Sequence, residues 1–216
     1  MSKNLNILRS VLAVLILAIP LYPKFPLRSV TGTYVAIRVD DYLVAAAVII
    51  WIIHQFRNRF PVLKNQTIIK LFLLYFTALI VSVVNAVLIN QTTPTSIHLL
   101  HLFRRFEYIS LFFVTLSAVQ TKNDLRYPYL FLLLATIGIS AYGYGQKYFH
   151  FPVISTMNEE FSKGQLLQMD IWTRINSTFA GHYDLAAYLS CVLIIIAGVG
   201  LVAKNRYLRS ISLIIF

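Results

Sequence analysis

Apolar and polar positions along this chain fall into long blocks rather than the short alternation of a soluble helix or strand. Six apolar runs stand out, over 5–22, 39–56, 68–89, 99–119, 128–145 and 185–203, with short and often basic segments between them. A helix needs about 20 mostly apolar residues to cross roughly 30 Å of hydrocarbon. The blocks therefore predict an all-α fold, a polytopic transmembrane helical bundle of six spans. A seventh opens near Tyr207 and runs on as Ser210-Ile-Ser-Leu-Ile-Ile-Phe216. A span that stops half-way leaves backbone groups unsatisfied in hydrocarbon. The expectation is one transmembrane domain over 1–216, the N-terminal part of a longer protein. The longest polar segment, 146–184, predicts a loop, and within it Thr156 followed by Glu159 fits a capping box. A short helix is expected to start there and to fade at Gly164. "AYGYGQ", 141–146, reads as a glycine-rich helix exit.

Composition agrees with the blocks. The chain is 58% hydrophobic and 12% charged, where soluble domains carry about 25% charged residues. Its net charge of +11 does not point to nucleic acid, because the basic residues sit in short clusters between apolar runs, as in membrane-protein loops. Lys3 and Arg9 precede the first apolar run, but Pro20-Leu21-Tyr22-Pro23 follows it in place of a small-residue cleavage site. The first run is thus a retained span rather than a removed signal. With the N-terminus inside, the inner segments hold eleven Lys and Arg and the longer outer segments hold eight, which favours a cytoplasmic N-terminus and an extracytoplasmic 146–184 loop. Seven of the eight acids fall outside, Asp124 being the exception. Chemistry is therefore sought on the outer face. The lone Cys191 lies in an apolar run and reads as a packing residue.

Three span mouths carry candidate groups. In "HLLHLFRRFEYISLFFVTLSAVQ" (98–120) the apolar part Tyr108–Val119 is too short to cross, so the span draws in Arg104, Arg105 and Glu107. Arg104 and Glu107 are three apart, share a helix face and can form a structural ion pair. Arg105 points about 100° away and is available to a ligand. In "AIRVDDYL", Asp40 and Asp41 suit a helix start, whereas Arg38 calls for an anion: one of those acids or a substrate phosphate. At the sixth span, Arg174 has no capping role. Asp184 sits where an N-cap is expected, Ala186 with Ser190 offers a small face for close packing, and His182 is a candidate acid or base. His98 and His101 share a face, but no third ligand is near, so no metal site is expected. The sequence has no phosphate-binding glycine loop and no nucleophile elbow.

Arg174-Ile-Asn-Ser-Thr-Phe179 followed by Gly181-His182-Tyr183-Asp184-Leu185-Ala186 resembles the signature of the bacterial O-antigen ligase and polymerase family. "VAIRVDDYL" (35–43) and "LLHLFRRFEYISLFF" (99–113) are similar to outer-face span starts of the same group. The resemblance implies a glycosyltransferase of the bacterial plasma membrane, acting in lipopolysaccharide or other envelope polysaccharide synthesis. Its donor would be a polyprenyl-pyrophosphate-linked glycan, and its acceptor a glycan, lipid or protein hydroxyl. It implies no metal and no cofactor, with arginines holding the pyrophosphate and a base deprotonating the acceptor. Carried onto this chain, the arginines are Arg38, Arg104, Arg105 and Arg174, and the candidate catalytic groups are His182 and Asp184. Arginine suits pyrophosphate because its fork is planar and permanently charged. The family's second outer loop, carrying His and Arg nearer the C-terminus, has no counterpart in these 216 residues, and Tyr183-Asp184 departs from the family's usual pair. These residues alone are expected to be inactive.

Two other classes compete. A transporter or flippase for a lipid-linked or anionic substrate would use Arg104 and Glu107 to line a path, but it would bind at mid-membrane, and here the ionic groups gather at one face. A non-catalytic membrane partner would tolerate loss of Arg38, Arg105 and Arg174 together.

Overall fold

The computed structural model describes residues 3–29, 36–58, 66–90, 94–154, 166–167 and 174–216. Within them a helix falls on each apolar run: α1 (Lys3–Leu21), α2 (Val39–Arg57), α3 (Gln66–Asn85), α4 (Thr95–Ala118), α5 (Arg126–Tyr148), α6 (His182–Val202) and α7 (Arg206–Ile215). A π-turn, Ala86–Asn90, prolongs α3, and a 3-10 turn, Lys122–Leu125, leads into α5. Two short antiparallel pairs complete the description. Strand β1 (Arg28–Ser29) pairs with β2 (Ala36–Ile37), and β3 (Val153–Ile154) pairs with β4 (Leu166–Leu167). The protein is mainly helical.

Among the described residues, four stretches are long and apolar enough to cross a membrane: Val39–Arg57, Gln66–Ile89, Lys122–Tyr148 and His182–Val202. The apolar part of α1, Asn6–Leu21, is shorter, and α4 carries three ionisable residues within four positions. Helix α3 buries none of its residues. Leu71 and Leu73, on nearly opposite sides of it, are each more than 60% exposed. A helix apolar all round and left uncovered is suited to lipid rather than water. These helices mark a membrane protein.

The chain forms two compact units, Met1–Leu12 with Asp41–Gln120, and Ala13–Asp40 with Thr121–Phe216. In the first, α2 buries Val44, Ala47, His54 and Gln55, positions that fall on one stripe at helical spacing. Trp51 Nε1 and Gln55 Nε2 both donate to Ser117 Oγ, at 2.9 and 3.0 Å, tying α2 to α4. Helices α3 and α4 meet through phenylalanines: Phe76 stacks on Phe106 at 4.1 Å, and Phe72 lies 4.6 Å from Phe113.

In the second unit, α5 and α6 enclose Leu133, Val192 and Ile196, flanked by Tyr129, Tyr188 and Ile215. Helix α7 folds back on α6. Asn205 caps it, accepting from the Tyr207 and Leu208 amides, and Tyr129 hydrogen-bonds Ser212 at 2.5 Å. The buried face of α6 is Val192, Ile196 and Gly200. A Cβ at Gly200 would stand 3.0 Å from Leu213, so this glycine is what allows the approach. The small pair Ala186 and Ser190 is exposed instead, and Ser190 Oγ bonds its own helix at Ala186 O. Asp124 closes a capping box with Thr121.

Candidate functional site

The polar run Asn176-Ser177-Thr178 lies inside the second unit, with all three residues buried. An irregular segment can be buried only if its backbone groups find partners, and here one side chain supplies them. Gln146, on α5, accepts from Ser177 N–H at 2.8 Å through Oε1 and donates to Ser177 O at 2.9 Å through Nε2. The carboxamide thereby reproduces the two bonds of a backbone pair. Ser177 Oγ donates to Ile139 O at 2.7 Å, and Phe179 N closes a turn on Asn176 O. Ser177 sits at φ 52, in the left-handed region, where a serine persists only when its surroundings hold it.

The helices are shaped to receive this segment. A Cβ at Gly143 would meet Ile175 Cγ2 at 3.0 Å, and one at Gly145 would lie 2.2 Å from the Phe151 ring. The glycines of "AYGYGQ" are therefore packing positions inside α5, which continues to Tyr148; they are not the helix exit that glycine content suggests. The chain turns later, at His150 with φ 55.

The end of α1 is also engaged. The last carbonyls of a helix lack intrahelical partners. Here Lys24 Nζ takes Ile19 O at 2.6 Å and Thr178 Oγ1 takes Pro20 O at 2.5 Å. Lys24 also pairs with Asp40 at 2.7 Å, with both side chains largely enclosed. Neither the lysine nor Gln146 stands out in the sequence, since both act on partners distant along the chain.

The anchored turn carries Arg174 on one side and leads into α6 on the other. Arg174 is exposed, and its Nη1 lies 3.2 Å from His182 Nε2. Two residues marked from sequence for different reasons thus meet. A guanidinium can only donate, so a hydrogen bond in this contact needs Nε2 as its acceptor. The ring also lies 4.1 Å from that of Tyr183. Asp184 is not the N-cap. Helix α6 begins at His182 with Gly181 in the cap position, so Asp184 stands in the first turn, exposed, where its charge complements the helix dipole. His182 and Tyr183 belong to the helix because α6 is continuous through its polar start; the apolar boundary at Leu185 marks hydropathy, not hydrogen bonding. Arg38, between β2 and α2, is half-buried in this unit.

In the first unit Arg104 Nη2 lies 3.0 Å from both carboxylate oxygens of Asp41. The side chains are 16% and 21% exposed, so the pair is shielded enough to hold a fixed geometry. Glu107, the partner suggested by spacing, is one turn along the same face and acts on Arg104 electrostatically, and a cross-helix carboxylate from α2 grips the Arg104 fork as well. Arg105 is exposed. Consecutive acids at the start of α2 therefore each fix one cation, Asp40 holding Lys24 and Asp41 holding Arg104. His98 and His101 gain no third ligand, and the described residues contain no group of three or more side chains suited to a metal. The expected helix at Thr156–Gly164 lies outside the described residues.

Comparison with protein-family models, curated proteins and solved structures finds no match to this chain.

Proposed function

We propose that this chain is a polytopic glycosyltransferase resembling the O-antigen ligases and polymerases, moving a glycan from a polyprenyl pyrophosphate to an acceptor hydroxyl at the outer face of a bacterial plasma membrane. In this reading all six long helices span the bilayer, α7 opens a seventh span, and the N-terminus is cytoplasmic. The observation that carries it is the contact of Arg174 with His182 on a turn held by buried hydrogen bonds. A permanent cation and a neutral imidazole with a usable lone pair are two groups this transfer needs. Their separation is set by a scaffold rather than by a free loop, which is what preorganised catalysis requires.

The chemistry follows from the two groups. The acceptor oxygen bonds to the anomeric carbon as the bond to the pyrophosphate oxygen breaks. The hydroxyl proton passes to His182 Nε2, and the departing pyrophosphate keeps the bonding electrons, with Arg174 paired to the charge that develops. Binding the pyrophosphate draws the guanidinium off Nε2 and so frees the lone pair at the moment the donor is present. Asp184, two residues on, is the other candidate base. Arg38, half-buried in the same unit as Arg174, is a further candidate for the phosphate-binding role that the resemblance gives it. Arg104, already held by Asp41, serves a ligand only by sharing its fork.

The test is transfer from purified lipid-linked glycan in membranes carrying the full-length protein. Arg174→Ala lowers the rate by about a hundredfold or more, the scale of losing one preorganised donor, while Arg174→Lys retains part of it. Unchanged transfer by Arg174→Ala at equal protein level refutes the reading.

A further inference from the structure

The second unit contains a cavity of about 960 Å³ whose lining includes neither Arg174 nor His182. Its walls are apolar, formed by Ile16 of α1, Leu132 of α5, Ile195 and Val199 of α6 and Leu208 of α7. Its rim is cationic. Lys122 and Arg126, four residues apart on the 3-10 turn and the first turn of α5, both line it and both are exposed. Neither side chain makes a hydrogen bond or ion pair among the described residues. Asp124, the one acid on that turn, is 9% exposed, is engaged by the Thr121 amide and does not line the cavity. Among the described residues, therefore, the two charges are uncompensated at the mouth of an oily chamber.

We infer that this cavity binds an anionic phospholipid, its acyl chain against Ile16, Ile195 and Val199 and its phosphate between Lys122 and Arg126. The inference rests on the membrane reading of the helices and on the charge bias that puts Lys122 and Arg126 on the cytoplasmic side; it does not depend on glycosyl transfer. Two features select this occupant. A soluble phosphate would use the rim and leave the apolar chamber empty, whereas a zwitterionic lipid would fill the chamber and leave the cations half-neutralised. Basic pockets between membrane helices on the cytoplasmic side are where acidic head groups are held. The chamber is bounded by α7, so an occupying lipid also contributes to docking α7 on α6.

The test uses the full-length protein in mixed micelles with equal phosphatidylglycerol and phosphatidylcholine, with retained lipid read by native mass spectrometry. Each basic group near a head group gives on the order of a fivefold preference, so the pair predicts roughly a twentyfold excess of phosphatidylglycerol. K122Q/R126Q brings the excess to about twofold or less at unchanged circular dichroism, and Ile195→Trp, which fills the chamber and keeps both charges, lowers total retained lipid. R57Q/K70Q, which removes two basic residues of the first unit, leaves the excess intact. An equal excess in K122Q/R126Q, a loss of the same size in R57Q/K70Q, or displacement of the lipid by 10 mM inorganic phosphate would overturn the inference. None of these readouts involves glycan transfer, so failure here and failure of the transferase reading are separable.

Discussion

Gln146→Leu removes the carboxamide that holds the Ser177 turn while keeping its volume nearly constant. Gln146 is 1% exposed, so water cannot enter to replace it. The substitution leaves Ser177 N–H and Ser177 O, now bonded at 2.8 and 2.9 Å, without partners in a closed interior. An orphaned buried group costs about 1–3 kcal/mol. Part of the loss is recovered as the turn relaxes, so the net effect is about 2–4 kcal/mol. An ordinary side-chain hydrogen bond between membrane helices averages only about 0.6 kcal/mol, and this gap decides between a pin and an incidental contact. The assay is reversible unfolding in mixed detergent, with Ser177→Ala measured alone and combined with Gln146→Leu. Ser177→Ala loses only the bond from Oγ to Ile139 O and is expected to cost about 1 kcal/mol. Because both changes loosen one turn, the double variant falls short of the sum. A cost for Gln146→Leu below about 1 kcal/mol, or strict additivity with Ser177→Ala, refutes the idea that this side chain holds the turn.

Two further outcomes follow from packing and charge. Gly145→Ala places a Cβ 2.2 Å from the Phe151 ring and should destabilise by about 1–3 kcal/mol as an overpacked site does, whereas Gly198→Ala, with nothing within 4 Å of the new Cβ, should be neutral or stabilising in the same unfolding assay. Lys24→Met strands the enclosed Asp40 carboxylate and the Ile19 carbonyl; breaking one side of an enclosed pair is expected to cost about 3 kcal/mol, while Lys24→Met with Asp40→Leu should recover much of it, read again by unfolding.

The hydropathy blocks were enough to locate the seven α-helices among the described residues, because an apolar helix satisfies its backbone locally. The same local physics made Arg104, Arg174 and His182 conspicuous, since ionisable groups at a span mouth are costly unless something holds them. What holds them was not legible. Arg104 was matched by spacing to Glu107, three residues away, but spacing gave no sign of Asp41, 63 residues earlier in the chain, which also holds its fork. Gln146 reads as one more polar residue at a helix end until its 31-residue reach to Ser177 is seen, and Lys24 reads as a loop cation until Asp40 and the end of α1 surround it. The glycines at 143 and 145 signal a helix exit by composition and turn out to be seats for Ile175 and Phe151. Composition and periodicity report what each segment can do with its own neighbours. Which carboxylate grips which cation, and which amide closes a buried turn, depends on groups brought together from far along the chain, and only the tertiary structure decides that.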